Sequence, residues 1–327
     1  MRYRRFVVTL VLLITLVVTA CGQSPDPTAQ GDEGKTTSAP FLKFRDDTGK
    51  TVTLKEQPKR IVVLSPEFLT LLYDLEGEAV GRMSTYSSPV PKAAQDLPEV
   101  GTINQINVEK LVALNPDFVI GTPSFHGKLS DLMKRNEIPF ALMQMRSFND
   151  VKEKAALLGQ ITGNEGKAKQ RLKETEGKME DISAKLPKSG PSFVVLNVTP
   201  SNVSIQRANT TALEIGELLR MDNLAKPMNP KPDGSQTSVP YSMEALVEAQ
   251  PDYVFITIHG AQEQGEKKIK KELEGNPAWA SLKAVQQGRV RVIPSARYLT
   301  NPGLAYDQSM LHMAKIVYPD IFDDGKK

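Results

Sequence analysis

The chain has 327 residues, of which 40% are apolar and 24% are charged, and its formal net charge is +3. This composition is typical of a globular protein, and the length is about twice that of a usual single domain, which favours two domains. Lysine and arginine are spread along the sequence instead of forming a basic stripe, so nothing indicates a nucleic-acid-binding protein.

The first residues are typical of an export signal. Three arginines precede an apolar run from Phe6 to Val18, which is shorter than the roughly 20 residues that span a bilayer. We predict a signal peptide at residues 1–20. It runs into the sequence VTAC, which resembles the lipobox of bacterial lipoproteins, so Cys21 is the predicted lipidation site; the alternative is an unprocessed anchor or a spare cysteine. Lipidation would place the protein on the extracytoplasmic face of the cell membrane.

Behind the lipobox, residues 21–40 are rich in Gly, Ser, Thr and Pro, which predicts a flexible tether. Strands and helices then alternate with short connections, which favours parallel or mixed sheets covered by helices. We predict an α/β fold with an N-terminal lobe at 41–164, a spine helix at 165–187 and a C-terminal lobe at 188–323. The helical pattern is almost continuous from Asn149 to the spine, whose charged sequence suits a bridge between domains.

One short unit occurs twice in the sequence. VEKLVALNPDFVIG at 108–121 and MEALVEAQPDYVFIT at 243–257 each predict a helix, a tight corner and a buried strand. A proline ends each helix, and we expect the residue before it to be extended. The repetition indicates two lobes related by approximate two-fold symmetry. A glutamate stands at the same place in each helix, Glu109 in one copy and Glu244 in the other.

Several motifs in a fixed order resemble a known family: PKRIVVLSP, VGRM, LPEVGTINQINVEKLVALNPDFVI, SMEALVEAQPDYVFIT, NPAWASLKAVQQGRVRVIP and NPGLAYDQS. Together with the lipobox and the single linking helix, they resemble the substrate-binding lipoproteins of ABC importers for ferric siderophores, haem and cobalamin. The resemblance covers nearly all of the chain after the tether. It implies two Rossmann-like lobes on a helical backbone, with the ligand in the cleft between them and delivery to the transporter's membrane subunits.

The same resemblance assigns a role to the repeated glutamates. In the family, one exposed glutamate on each lobe meets an arginine-lined pocket of the transporter, which implies that Glu109 and Glu244 dock the protein onto it. The alternative is that each is a solvated helix residue. We expect the protein to act as a monomer without a resident cofactor.

Ligand contacts are expected in the loops that follow the strands, as in other sheet-based sites. Ferric siderophores are often anionic and rich in oxygen, so arginine and tyrosine are suitable contacts. The candidates near predicted strand ends are Arg82, Tyr86, Arg146, Arg207, Tyr241, Arg297 and Tyr298. A surface or packing role is the alternative for each of them.

His259 is the residue that bears on whether the ligand is haem or a siderophore. It follows a buried strand in ITIHGAQ, which resembles the loop of haem-binding members where a histidine ligates iron. Those members use a methionine of the first lobe as the other axial ligand, and Asn104 stands at the matching place here. Met83, Met143 or Met145 could replace it only by reaching the cleft. We therefore predict a ferric siderophore and keep haem, bound through His259, as the alternative.

Two other classes of protein compete with this prediction. A metal-ion receptor needs several converging histidine and carboxylate ligands. The chain has three histidines, His126, His259 and His312, and the last lies in a predicted helix, so we do not expect a three-histidine site. An exported enzyme is the other rival, but the sequence contains no nucleophile elbow, P-loop or HExxH motif, and we predict a binding protein.

Overall fold

The computed structural model describes residues 39–85, 89–228 and 237–322. The predicted signal peptide with Cys21, and Tyr86 among the candidate ligand contacts, lie outside the described residues. Within these three segments, no helix combines the length and the apolar character needed to cross a membrane.

The described part of the first lobe contains eight strands and five α-helices. Its strands are β1 (Leu42–Arg45), β2 (Thr51–Leu54), β3 (Ile61–Val63), β4 (Gly81–Arg82), β5 (Gly101–Thr102), β6 (Gln105–Ile106), β7 (Phe118–Gly121) and β8 (Phe140–Leu142). Its helices are α1 (Pro66–Asp74), α2 (Val108–Ala113), α3 (Pro123–His126), α4 (Ser130–Arg135) and α5 (Phe148–Thr162). A parallel sheet has the order β4-β3-β7-β8, while β1 with β2 and β5 with β6 form separate antiparallel pairs.

The second lobe follows the spine helix α6 (Glu165–Lys185). Its strands are β9 (Ser192–Val198), β10 (Val203–Gln206), β11 (Asp222–Asn223), β12 (Ser238–Pro240), β13 (Tyr253–Ile258) and β14 (Val290–Val292). Its helices are α7 (Thr211–Leu218), α8 (Met243–Ala249), α9 (Gln262–Lys268), α10 (Lys283–Gln286), α11 (Ser295–Tyr298), α12 (Tyr306–Val317) and α13 (Pro319–Phe322). The sheet has the order β12-β10-β9-β13-β14 with β11 also beside β9, and β10 runs antiparallel to both of its neighbours.

These two parallel-sheet lobes on a helical spine confirm the predicted fold class. The central strands are buried on both faces, which explains why their sequences are continuously apolar. In β9, Phe193 and Val195 face a core that also contains residues of α5, α6 and the first sheet, whereas Val194 and Leu196 face the outer core of the second lobe. One apolar cluster therefore extends from sheet to sheet through the spine.

The predicted continuous helix from Asn149 is in fact two helices. Gly163 ends α5 with a φ of 75°, a left-handed conformation that glycine adopts without a steric penalty. The spine α6 begins at Glu165 and packs against α5 and α12. The helical spacing of apolar residues continues across Gly163, so this spacing alone does not show that α5 ends there.

The residue before each repeated proline is left-handed and not extended, so that expectation was wrong. Asn115 has a φ of 45°, and Gln250 has a φ of 45° and a ψ of 58°. Each residue follows the end of a helix, where a left-handed residue commonly terminates the helical hydrogen bonds. The Gln250 N–H still donates to the carbonyl of Leu246. Termination of the helix, and not the proline alone, therefore sets the geometry of the corner.

The aspartate of each repeated corner ties two central strands together. Asp117 precedes β7 and accepts hydrogen bonds from the N–H groups of Lys59 and Arg60, at 2.7 and 2.8 Å, just before β3. Asp252 precedes β13 and accepts from the N–H and the hydroxyl of Ser192, at 2.8 and 2.9 Å, where β9 begins. The repeated sequence therefore solves the same structural problem in both lobes.

Candidate functional site

The loops that follow the parallel strands mark one edge of each sheet. In the first lobe, β3 leads into Ser65 and β7 leads into Thr122; in the second lobe, β13 leads into His259 and β14 leads towards Ser295. Ligands of open α/β sheets bind outside the carboxyl ends of the strands. This edge is therefore where side chains from the two lobes can meet on a ligand.

A pocket of about 230 Å³ at this edge is lined by both lobes. The first lobe contributes the beginning of α1 and Pro89, and the second lobe contributes α11, the turn after it and the beginning of α12. Polar side chains from both sides line the pocket, namely Glu67, Thr70, Arg297, Thr300, Asn301 and Gln308. They offer hydrogen-bond donors and one permanent positive charge to an oxygen-rich ligand.

Glu67 is the acidic side chain of this interlobe pocket. Burial raises the pKa of its carboxyl group to about 7, and the N–H of Asn301, 3.4 Å from Oε2, opposes part of that effect. Its charge therefore changes near neutral pH, in a pocket that Arg297 also lines from the other lobe.

Further hydrogen bonds join the lobes beyond the pocket. The side-chain amide of Asn301 donates to the carbonyl of Ser147, at 3.4 Å. The N–H of Phe148 donates to the carboxylate of Glu214, at 3.0 Å to Oε2, and the hydroxyl of Tyr306 donates to the same carboxylate. Burial raises the pKa of Glu214. A network of partly buried polar contacts therefore joins the two lobes.

Two predicted ligand contacts lie inside the protein. The Arg82 guanidinium donates to the carbonyl of Ala94, at 2.8 Å, and pairs with the carboxylate of Glu99, at 2.7 Å. Tyr298 is fully buried, its hydroxyl donates to the carbonyl of Ser309, at 2.8 Å, and burial raises its pKa. Both side chains hold local structure together, and their contact with ligand stays a prediction.

The other predicted arginines and Tyr241 occupy different environments. Arg146 is exposed just before α5, and Arg207 is buried at the end of β10. Tyr241 is half-buried before α8, and burial raises its pKa to about 12. Of the described candidates, Arg297 is the one that lines the interlobe pocket.

His259 is exposed, and its backbone N–H donates to the carbonyl of Val198, at 2.8 Å. The start of the loop is therefore fixed while the imidazole faces outwards. Met83, Met143 and Met145 are buried, so none of them replaces the missing axial methionine in this arrangement. In the part of the chain that the structure describes, no group of three or more His, Cys, Asp or Glu side chains is placed to hold a metal ion.

The repeated glutamates are exposed in the first turns of equivalent helices. The side chain of Asn107 caps α2, which carries Glu109, and the side chain of Ser242 caps α8, which carries Glu244. A backbone hydrogen bond and the Ser242 hydroxyl, 2.9 Å away, lower the pKa of Glu244. Its carboxylate therefore stays ionised at neutral pH on the surface of its lobe.

Comparison with known proteins identifies the family. The sequence profile described as "Periplasmic binding protein" matches residues 61–296, which is more than half of the chain. The chain belongs to the periplasmic binding protein family. This match spans both lobes and the spine between them.

Several proteins that are similar to this periplasmic binding protein bind iron compounds or siderophores. It is 27% identical to the Fe(3+)-citrate-binding protein YfmC of Bacillus subtilis over 87% of each chain. Among solved structures, it resembles Staphylococcus aureus IsdE complexed with heme, with a TM-score of 0.70 and 20% identity over 79% of this chain and 98% of that one. It also resembles Staphylococcus aureus SirA complexed with staphyloferrin B, with a TM-score of 0.69 and 19% identity over 84% and 98%. At these identities the two structures establish the fold.

This periplasmic binding protein has a second, smaller pocket of about 110 Å³ in its first lobe. It lies between the β5–β6 hairpin, which includes Asn104, and the segment from Phe125 to Leu129. His126 is buried there. From the sequence alone, His126 is only one of three possible metal ligands, because no sequence signal shows that it lines a cavity.

Proposed function

We propose that this chain is the extracytoplasmic solute-binding lipoprotein of an ABC importer and that it captures a ferric siderophore between its lobes. The observation that carries the proposal is the pocket of about 230 Å³ to which both lobes contribute side chains. A ligand held there contacts both lobes at once and so fixes their relative position. Similarity to an Fe(3+)-citrate-binding protein and to the structure with staphyloferrin B supports an iron chelate as the cargo.

The chemistry of the pocket suits a chelate with peripheral oxygen atoms. The fork of Arg297 can donate two parallel hydrogen bonds to a carboxylate, and Asn301 and Gln308 supply neutral donors. The chelator's oxygens already fill the coordination sphere of iron, so no protein atom needs to ligate the metal. An anionic chelate binds more readily when Glu67 is protonated than when it is ionised, because an ionised carboxylate repels the chelate.

Titration calorimetry of the purified protein with ferric citrate, a ferric trihydroxamate, a ferric catecholate and haemin tests this function. We expect saturable binding of a ferric siderophore without turnover. Arg297→Ala should weaken it about tenfold or more, whereas Arg291→Ala, which removes an exposed arginine of β14, should not. Failure to bind any iron chelate would refute the proposal.

Haem is the second candidate, because His259 is exposed directly after β13. If His259 ligates haem iron, the complex should show a Soret band that shifts strongly in His259→Ala, since loss of the imidazole changes the ligand field. Tight haemin binding that is lost in this variant, without a response to siderophores, would favour haem over the siderophore.

Docking onto the transporter would use Glu109 and Glu244. Their exposure in the first turns of equivalent helices supports this role, because it presents one carboxylate on each lobe. A single surface ion pair contributes little affinity, so we propose that both are needed. A lipid on Cys21 would hold the monomeric receptor at the membrane beside its permease.

A further inference from the structure

The smaller pocket contains a buried hydrogen-bond donor without a partner. The His126 side chain is 1% exposed. Its Nδ1 accepts a hydrogen bond from the N–H of Thr122, at 3.0 Å, so the hydrogen-bond pattern assigns the ring proton to Nε2. Among the described residues, Nε2 has no hydrogen-bond partner.

The surroundings keep the imidazole neutral. Burial lowers the pKa of His126 to about 4, and the carbonyl of Ile103 opposes part of this effect without completing a hydrogen bond to Nε2. The neutral ring with its proton on Nε2 has no lone pair there for a metal ion. It can serve only as a donor, and an acceptor that entered the pocket would relieve the cost of the unpaired N–H.

Charge and size restrict what that acceptor is. Lys128 also lines the pocket, and its ammonium group contributes to the low pKa of His126, which places positive charge close to the donor. None of the described lining residues is acidic. A volume of about 110 Å³ equals that of roughly three or four water molecules in the liquid. That is enough for one carboxylate arm and too little for an iron complex.

We infer that this pocket is a subsite for a carboxylate arm of the iron chelate, with His126 Nε2–H as the donor and Lys128 as the balancing charge. The inference rests on the proposed function for the nature of the cargo. Phe125 and His126 of this pocket follow β7, and Pro66 and Glu67 of the interlobe pocket follow β3, so both pockets are lined by residues beyond the carboxyl ends of parallel strands of the first sheet. A chelate in the cleft can therefore extend an arm into it, and the protein would prefer carboxylate chelates over those without carboxylates.

The test compares ferric citrate with a carboxylate-free ferric trihydroxamate by titration calorimetry. His126→Phe keeps an aromatic ring and removes the donor, so the Kd for ferric citrate should rise about tenfold to a hundredfold, the range for a hydrogen bond to a charged group. His126→Gln, whose amide nitrogen can replace Nε2–H, should restore most of the affinity.

A pair of surface variants keeps the test valid if His126→Phe fails to fold. Lys128→Glu and Lys134→Glu change the net charge equally, and both lysines are exposed, but only Lys128 lines the pocket. The first should raise the Kd for ferric citrate about threefold or more, and the second should leave it unchanged.

The possible outcomes separate this inference from the proposed function. Unchanged ferric citrate binding in His126→Phe, or equal effects of the two lysine variants, would overturn the subsite and leave the iron-chelate receptor intact. Binding of the trihydroxamate but not of ferric citrate would also overturn the subsite and leave the iron-chelate receptor intact. If the wild type binds no chelate, the proposed function itself fails, and the subsite fails with it.

Discussion

The carboxyl group of Glu67 should make the stability of the protein depend on pH in a defined window. Its pKa is raised from 4.5 to about 7 in the folded protein. The folded state therefore holds this proton more tightly than the unfolded chain does. The contribution of Glu67 to the free energy of unfolding is then fully present below about pH 4.5 and is lost as the pH rises through about 7. Glu67→Gln keeps the shape of the side chain and removes the titration, so it should remove this decrease.

The size of the effect follows from the raised pKa. A change from 4.5 to about 7 corresponds to about 3 kcal/mol, at about 1.4 kcal/mol for each pH unit. The Glu67 side chain is only half-buried and lines an open pocket. Solvent reduces such effects, so we expect the wild type to lose about 1–2 kcal/mol more of its free energy of unfolding than Glu67→Gln does when the pH is raised.

Urea unfolding at about pH 5 and about pH 8 measures this difference, with the fluorescence of the buried Trp279 as the signal. Glu78→Gln is the matched control, because it removes an exposed carboxylate. Burial also raises the pKa of Asp74 and Glu214, but both groups are present in all three proteins and cancel in the comparison. An equal loss of stability in the wild type and in Glu67→Gln would refute the reasoning.

Replacing both Glu109 and Glu244 by alanine should abolish uptake of the iron chelate by cells, while the Kd of the purified protein for the chelate should stay unchanged. The control is Glu248→Ala, which removes another exposed carboxylate of α8 and should change neither the uptake nor the Kd. Loss of ligand affinity in the double variant would contradict the docking role. Asp252→Asn should lower the free energy of unfolding by about 1–2 kcal/mol, because it weakens charged hydrogen bonds between β9 and β13; an unchanged urea midpoint would contradict this. Cys21→Ala should leave an unlipidated precursor, and a wild-type mass spectrum without lipid on Cys21 would disprove the anchor.

Hydrophobic periodicity predicted the buried strand of each repeated unit, and the structure has these strands at Phe118–Gly121 and Tyr253–Ile258. It failed where one backbone angle decides the outcome. Gly163 interrupts a helical pattern that continues on both sides, and Asn115 and Gln250 adopt left-handed angles before proline. Such angles depend on how the residues after a helix form hydrogen bonds with its last carbonyl groups. The spacing of apolar residues contains no information about these hydrogen bonds.

The sequence indicated which loops approach the site but not which side chains enter it. Arg82 and Arg297 both occur at or near the end of a strand, yet the first turns inwards to Ala94 and Glu99, and the second lines the interlobe pocket. The direction of a side chain depends on contacts with distant segments. The unpaired nitrogen of His126 was equally hidden, because the absence of a partner is a property of three-dimensional packing.

Neither lobe can bury its inner face alone, because Phe193 and Val195 of the second sheet belong to the same apolar cluster as Ile61 and Val63 of the first. Separating the lobes would expose this cluster, so they should denature together in one cooperative transition. A protease that opens one lobe then destroys both. A fragment that keeps only one of the two exposed glutamates, Glu109 or Glu244, is therefore not expected to persist.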